Sequence, residues 1–401
     1  LARKSNNETE VRVGIVSTLA AFFSASGGAS IGQYGPLVHF GTTLGAWLKQ
    51  KMPFNFTPDL YIGAGVAASI SSGFGAPLAG LIFAHEAILR HYSHKSILAI
   101  ATASGISYAV STAIWGDANV IAVSPDQFNL LLILLISFLA GPIFGLIAIL
   151  YMKSLLFFFE LANQNNFSLI YKYGVCIISL SIIGHFVPEV MGLGAETVGG
   201  VLGSNYTIFL LVIIVLGKIL ATSISLNFGF FGGVFSPAIL VGAGAGAVVS
   251  AILVSIGIFE EFQQALVISG IAAVAGSVIG APLCMVIIVL ELTNSYAYAL
   301  ASLVGLAISV GYVQVRFGSS YFDVQLLNRG IDISDGRTGL FMYETEILEF
   351  AEVNFQTVKE SDSVEKAVSL MSSTNQSELI VLDANEEFKG KINSLSLFNK
   401  S

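Results

Sequence analysis

Two glycine-rich segments, each ending in a proline that opens an apolar run, constrain the fold of this chain most. The first, residues 27–36, reads Gly-Gly-Ala-Ser-Ile-Gly-Gln-Tyr-Gly-Pro, and the second lies at residues 228–237. Proline suits the first turn of a helix, and glycines before it let a ligand approach the backbone closely. The free N–H groups of a helix start attract anions. Each segment is therefore expected to place an anion site at the start of a helix.

Composition places these segments in a membrane. Hydrophobic residues make up 54% of the chain and charged residues 11%, whereas soluble domains carry about 25% charged residues. A chain with so little charge is expected to be an integral membrane protein with several spans. Its net charge of −8 arises mainly from residues 344–401, so no basic patch indicates a nucleic-acid partner.

The apolar run at residues 36–48 is too short to cross a membrane. As a helix its roughly 13 residues rise about 20 Å, whereas a span takes about 20 residues. It is therefore expected to be a half-helix. In the run at 130–161, Gly141 and Pro142 are expected to start, kink or divide a helix. After residue 340 the composition becomes that of a soluble segment, which predicts two domains, residues 1–340 and 341–401.

The chain also contains an internal repeat. Pro36 and Pro237 are 201 positions apart (237 − 36), and Pro77 and Pro282, each within Gly-Ala-Pro-Leu, are 205 apart (282 − 77). Two repeats that each contain a broken helix indicate a transport protein with a site between its halves. Because both broken helices would direct N–H donors at that site, an anion is favoured over a cation. Glycines that only permit close helix packing would explain the small residues but not the paired starts.

Four motifs carry a resemblance to a known family. Residues 218–222 (Lys-Ile-Leu-Ala-Thr) and 230–237 (Phe-Phe-Gly-Gly-Val-Phe-Ser-Pro) match a Gly-x-Phe-x-Pro signature with its lead-in. Residues 32–36 match Gly-Lys/Arg-Glu-Gly-Pro with two substitutions, and the two Ala-Pro-Leu segments also fit. Over nearly all of residues 11–330 the chain thus resembles the CLC family of voltage-gated-type chloride channels and chloride/proton antiporters.

The resemblance implies an all-α polytopic membrane fold, an inverted repeat with broken helices, a homodimer, and one anion pore per subunit. Tyr321 would be an inner gate whose hydroxyl touches the central anion, with Tyr296 as the weaker alternative. The family's Gly-Ser-Gly-Ile-Pro motif, which supplies an inner-gate serine, would precede residue 1, so the chain looks like a fragment without the family's first helices. The implied anion-binding and pore residues are Gly32, Gln33, Tyr34 and Gly35 at the outer site, and Gly233, Val234, Phe235 and Ser236 at the central site.

Two departures from the family bear on its proton chemistry. Tyr34 stands where the family has its external gating glutamate, and Ala87 where exchangers carry an internal proton glutamate. A phenol has an ordinary pKa of about 10, so it is a poor proton shuttle at neutral pH. The nearby titratable groups His39, His85 and Glu86 are expected to serve packing or hydrogen bonding rather than to replace the proton path.

The tail at residues 353–397 resembles one CBS repeat, and its pattern predicts strand–helix–strand–turn–strand. Such repeats normally work in pairs that sometimes bind adenine nucleotides. A single repeat would give an incomplete site, so no cofactor is expected. The tail is interpreted as a cytosolic regulatory or dimerising module.

The sequence thus predicts a passive chloride channel in a plasma or inner membrane, with Tyr34 and Tyr321 as gates and chloride and lipid as partners. The alternatives are a chloride/proton antiporter with a non-standard proton path and a non-conducting anion sensor. No catalytic arrangement, metal-ligand cluster or phosphate loop is evident, so an enzyme is not expected.

Overall fold

The computed structural model describes residues 11–52, 56–92, 94–116, 123, 128–164, 167–257, 260–330, 355–374 and 376–394. The chain forms two compact units, Leu1–Leu340 and Phe341–Ser401, which are described separately. The helices described in the first unit are α1 (Val11–Ser26), α2 (Tyr34–Lys51), α3 (Pro58–Phe74), α4 (Pro77–Phe83), α5 (His94–Trp115), α6 (Leu130–Gln164), α7 (Leu169–Phe186), α8 (Ala195–Leu202), α9 (Ile208–Asn227), α10 (Phe235–Ser255), α11 (Gln263–Ile279), α12 (Pro282–Thr293), α13 (Tyr296–Arg316) and α14 (Tyr321–Asn328).

Within the described ranges, six helical segments are long and apolar enough to cross a membrane. They are Ser96–Trp115, Leu130–Gln164, Leu169–Phe186, Ile208–Asn227, Phe235–Ser255 and Tyr296–Asn328. Shorter apolar helices are also present, and α4 continues as a π-helical turn, Ala84–Leu89. α2 extends the expected run at both ends, because it already begins at Tyr34 and continues to Lys51.

The repeat builds the same helix contact twice. A Cβ atom added to Gly41 of α2 would lie 2.3 Å from the carbonyl oxygen of Gly65 in α3, and one added to Gly242 of α10 would lie 2.4 Å from that of Gly270 in α11. These pairs have the same offsets as the proline pairs, 201 (242 − 41) and 205 (270 − 65). Small residues thus let α2 approach α3, and α10 approach α11, at backbone distance.

The two repeats also bind each other's helix starts. The carboxylate of Glu291, in α12, accepts hydrogen bonds of 2.8 and 2.9 Å from two N–H groups at the start of α4. The carboxylate of Glu86 accepts bonds of 2.9 and 2.8 Å from the start of α12. A carboxylate satisfies the free donors of a helix start and complements its dipole. The donors are Leu78, Ala79, Leu283 and Cys284.

Gly141 and Pro142 neither start nor divide a helix, because α6 runs through both without interruption. A Cβ atom on Gly141 would lie 2.6 Å from the Cβ of Ile308 in α13, so the glycine serves close packing between these helices. In a membrane, neighbouring helices compensate for an interior proline. Of the three expected outcomes, a helix start and a division at this point were therefore wrong, and the kink stays a prediction.

The second unit is a small α/β fold with strands β1 (Thr357–Lys359), β2 (Glu378–Leu382) and β3 (Phe388–Asn393) and helix α15 (Val364–Thr374). β1 pairs in parallel with β2, which pairs antiparallel with β3. Its core contains Val358, Ala367, Met371 and Leu379. The strand–helix–strand–turn–strand order is confirmed, and residues 353–354, 375 and 395–397 of the expected repeat lie outside the described residues.

Candidate functional site

The two glycine-rich segments meet directly, although they lie about half the chain apart in sequence. Gly32 and Gly233 each donate an N–H to the other's carbonyl oxygen, both at 2.7 Å. A Cβ atom on Gly32 would lie 2.8 Å from the Gly233 oxygen and 2.9 Å from the backbone nitrogen of Ser236. Only glycine lets the backbones come this close. The paired bonds therefore hold the starts of α2 and α10 side by side.

The bonded glycines determine where the next N–H groups point. In a planar trans peptide, a carbonyl and the following N–H point in opposite directions. The carbonyl of each glycine faces the other glycine-rich segment. The next N–H groups, those of Gln33 and Val234, therefore point away from the partner segment. Within the described ranges, no protein acceptor bonds the backbone N–H groups of Gln33, Tyr34, Val234 or Phe235. Free donors from two adjacent helix starts make a site that favours an anion.

Three aromatic rings lie beside these donors. The Tyr34 ring stacks on Phe74, with centroids 3.7 Å apart and planes 13° apart, and meets Phe235 edge-on at 5.4 Å. Phe74 and Phe235 are themselves 5.2 Å apart. Tyr34 therefore places an uncharged aromatic ring, and no carboxylate, next to the free donors. This ring contacts aromatic residues from both repeats.

A cavity of about 590 Å³ leads to this ring cluster. Its lining includes Gln33, Tyr34, Phe74 and Ser236 and is otherwise largely apolar, and none of the described lining residues is Asp, Glu, Lys or Arg. Tyr321 does not line it. An ion in this cavity meets the side chain of Tyr34 together with neutral polar groups.

Lys218 of α9 lies behind one wall of the cavity. It is fully buried, and its Nζ donates to the carbonyls of Val190 at 3.0 Å and Gly192 at 2.8 Å. A Cβ atom on Gly194, which lines the cavity, would lie 3.5 Å from this Nζ. A basic side chain inside a membrane segment commonly marks an ion path, and here its Nζ is bonded to two backbone carbonyls behind the cavity wall.

Two further tyrosines of this unit, Tyr151 and Tyr321, are buried. Tyr321, the first residue of α14, is buried, and its hydroxyl accepts a 2.8 Å hydrogen bond from Nε2 of Gln325. Tyr151 donates its hydroxyl to the Val234 carbonyl at 3.3 Å. Tyr296, the weaker gate alternative, is 69% exposed. Tyr151 thus contacts the signature segment directly.

Ala87 lies in the π-helical turn and is half-buried. The neighbouring titratable side chains have partners. Glu86 binds the start of α12, one ring nitrogen of His85 lies 2.8 Å from the His91 carbonyl, and His39 lies 2.9 Å from the hydroxyl of Ser17. Each contact matches the packing or hydrogen-bonding role that the sequence predicts for these groups.

Sequence reasoning missed three residues of this region. Phe74 directly precedes a repeated Gly-Ala-Pro-Leu motif, so that repeat could have drawn attention to it. Lys218, a charged residue within a long apolar run, is by itself a signal for an ion path. Tyr151 carries no such signal, since a single tyrosine in an apolar run is normally interpreted as a residue of the packed core.

Curated relatives share roughly a quarter of their residues with this chain. It is 28% identical over 326 residues to the H(+)/Cl(-) exchange transporter ClcA of Vibrio vulnificus strain YJ016, a match that covers 77% of this chain and 69% of that protein. It is 27% identical over 310 residues to the protein of the same name from Citrobacter koseri, covering 73% and 62%.

Solved structures share the fold at lower identity. A slow cyanobacterial Cl-/H+ antiporter matches with a TM-score of 0.72 at 19% identity, covering 79% of this chain and 76% of that chain. A eukaryotic CLC transporter matches with a TM-score of 0.65 at 17% identity, covering 96% and 80%. These likenesses confirm the expected all-α membrane fold with broken helices.

Sequence comparison at the family level agrees with this fold. With six apolar helical segments of spanning length in the described ranges, the chain is an integral membrane protein. A sequence model described as "Voltage gated chloride channel" matches residues 1–314, well over half of the chain. The chain therefore belongs to the voltage gated chloride channel family.

Proposed function

We propose that this chain carries chloride across the membrane along a path that passes the paired starts of α2 and α10. The observation that carries the proposal is the reciprocal Gly32–Gly233 pairing, which brings free N–H donors of both repeats together. The outer site uses the N–H groups of residues 33–35, and the central site those of residues 234–236. The N–H groups of Gly32 and Gly233, which the sequence assigned to these sites, are instead bonded to each other's carbonyl oxygens. An N–H donor binds any small anion, and the family membership selects chloride.

Tyr34 is the outer gate of this path and Tyr321 the inner one. Support for the first comes from the stacking of Tyr34 between Phe74 and Phe235 at the end of the cavity. Support for the second comes from the burial of Tyr321 at the start of α14. Chloride would pass when the Tyr34 ring leaves its stack.

Exchange of chloride for protons is the coupling mode we propose first. The relatives named above are H(+)/Cl(-) exchange transporters, which favours this alternative over the passive channel expected from the sequence. Since Tyr34 and Ala87 occupy the two carboxylate positions, the proton would have to use other groups in this chain.

Passive chloride conduction is the second candidate. It is favoured by those same two substitutions, because a methyl group carries no titratable proton and a phenol with an ordinary pKa of about 10 is a poor proton shuttle at neutral pH. In the structure the carboxylate of Glu86 accepts hydrogen bonds from two N–H groups at the start of α12, so both its oxygens serve as a helix cap.

A flux measurement separates the candidates. The chain, reconstituted in liposomes with a chloride gradient and no proton gradient, is followed with chloride and pH electrodes. Uphill proton movement driven by chloride supports exchange, and chloride flux without proton movement supports conduction. Absence of chloride flux in both the unmodified chain and Tyr34→Ala would reject transport and favour an anion sensor.

We further propose that two copies associate, each with its own path, and that residues 341–401 form a cytosolic module built on one partial CBS repeat. The described sheet and helix of the tail support the second point. Size measurement of the purified chain in detergent, with and without residues 341–401, tests whether the tail contributes to the dimer.

A further inference from the structure

Tyr151 lies in the middle of α6, and its side chain is fully buried. A buried tyrosine hydroxyl normally finds a hydrogen-bond partner. Here that partner is the carbonyl oxygen of Val234, at 3.3 Å, in the segment that precedes α10. The hydroxyl of a distant helix thus contacts the backbone of the central anion site.

The Val234 carbonyl shares one peptide unit with the N–H of Phe235, and the two point in opposite directions. The same carbonyl accepts the first hydrogen bond of α10, from the N–H of Ala238 at 3.0 Å. Tyr151 therefore adds a second bond to an oxygen that the helix already satisfies. Removal of the Tyr151 hydroxyl would leave no buried carbonyl without a partner.

Hydrogen bonds to an amide carbonyl polarise the amide and strengthen its N–H as a donor. The N–H of Phe235 is one of the free donors of the central site. We propose that Tyr151 is a positioning residue that raises the anion affinity of the Phe235 N–H by binding the opposite end of the same peptide. This inference rests on the proposed function, since it requires an anion at the central site.

The surroundings of Tyr151 hold its hydroxyl in place. Thr222 lies beside this hydroxyl, and the Thr222 hydroxyl lies 3.1 Å from that of Ser30, which donates to the Val190 carbonyl at 2.9 Å. Ser30 belongs to the first glycine-rich segment. A chain of buried hydroxyl groups therefore connects Tyr151 to both halves of the anion site and limits its freedom to turn away.

Chloride binding to the purified full-length chain, measured by isothermal titration calorimetry, tests the proposal. Tyr151→Phe keeps the ring and removes the donor. The 3.3 Å separation marks a weak bond, so the Kd for chloride should rise only modestly, about threefold. Tyr312→Phe removes a hydroxyl from a ring packed against Arg316 and Gly145 and should leave the Kd unchanged.

A donor series distinguishes this role from packing. Tyr151→4-aminophenylalanine restores a weaker donor and should give an intermediate Kd. Tyr151→3,5-difluorotyrosine supplies a stronger donor and should lower the Kd below that of the unmodified chain. A role in packing alone predicts no such order. If the phenylalanine variant fails to fold, the two variants that retain a donor still carry the test.

Equal chloride Kd values for the unmodified chain and every Tyr151 variant would overturn the inference and leave the proposed function standing. Absence of chloride binding in the unmodified chain would overturn both. A Kd that follows donor strength, with Tyr312→Phe unchanged, supports the role of Tyr151.

Discussion

Tyr34 is the residue at which this chain differs most in chemistry from its expected motif. Its ring contacts with Phe74 and Phe235 are each worth about 0.5–1.5 kcal/mol, and both are lost when the ring swings away. Tyr34→Ala removes this barrier, so chloride flux into liposomes should rise about tenfold, since about 1.4 kcal/mol corresponds to a factor of ten in rate.

Tyr171→Ala is the matched control for this substitution, because Tyr171 is an exposed tyrosine near the start of α7 whose ring stacks on Phe167 with centroids 4.7 Å apart. Its flux should equal that of the unmodified chain. Equal fluxes for Tyr34→Ala and the unmodified chain would remove Tyr34 from the gate.

Glu291 is a second residue whose substitution has a defined result. Glu291→Gln removes the charge and one acceptor from the carboxylate that binds the start of α4. Loss of a helix cap costs about 1 kcal/mol, so the thermal midpoint of the purified chain should fall by a few degrees. Glu86→Gln should give a similar loss at the equivalent site in the other repeat.

The exposed residue Glu160 provides the control, and Glu160→Gln should leave the midpoint unchanged. If Glu86→Gln and Glu291→Gln melt like the unmodified chain, the two carboxylates do not stabilise the helix starts.

At the scale of elements, the paired glycines set the distance between packed helices. Gly270→Ala would place a Cβ atom 2.4 Å from the Gly242 carbonyl oxygen, and a backbone atom there cannot rotate aside. α10 and α11 must separate, at a cost of about 1–3 kcal/mol. The thermal midpoint should drop, and so should chloride affinity, because α10 begins at the proposed central site.

Gly65→Ala tests the equivalent contact between α2 and α3, with a Cβ atom 2.0 Å from the Gly41 carbonyl oxygen. Gly174, on α7, is the control, because a Cβ atom there meets nothing within 4 Å. Gly174→Ala should be neutral or stabilising by up to about 1 kcal/mol, owing to the helix propensity of alanine. A stable Gly270→Ala variant would show that these helices can move apart freely.

At the scale of the whole molecule, the second compact unit should lose stability in acid through a carboxylate of its own, Asp383. In the tail, the backbone N–H of Glu387 holds the pKa of Asp383 below its ordinary value of 3.8, and further hydrogen bonds assist. A lowered pKa stabilises the folded tail at neutral pH, and this contribution is lost as the pH falls through the lowered value. Amide protection of β2 and β3 should therefore decline below about pH 4.

Hydrogen exchange on the full chain, corrected for the intrinsic rate at each pH, measures this decline. Asp383→Asn should lower protection at neutral pH and weaken the pH dependence. Glu360→Gln, at an exposed position of the tail, should change neither. Protection that is constant from neutral pH to pH 3 would contradict the role of Asp383.

The fold could be predicted largely because its signals are local or repeated. Apolar run lengths indicated the spans, and the proline pairs indicated two halves. Whether a helix starts, kinks or divides at Pro142 could not be decided from the sequence, because the local rule for proline omits the support of neighbouring helices in a membrane. The π-helical turn, Ala84–Leu89, likewise has no signal in the periodicity.

The backbone segments of the candidate site could be predicted from the sequence. The side-chain contacts around them could not. Residues 32–36 and 233–237 follow from glycine and proline positions alone. The contact of Tyr151 with Val234 depends on how α6 packs against the start of α10, which no spacing in the sequence encodes. The stacking of Tyr34 on Phe74 depends on tertiary packing in the same way.

The reciprocal bonds of Gly32 and Gly233 have a consequence for how this protein can change over time. Every residue type except proline carries the same N–H, so most substitutions around the site preserve its donors. A candidate anion site whose donors are backbone N–H groups is therefore little affected by most side-chain substitutions. The arrangement is sensitive at very few positions. At Gly32, one additional methyl group would lie too close to the backbone of Gly233 and Ser236, so the two paired segments would have to move apart.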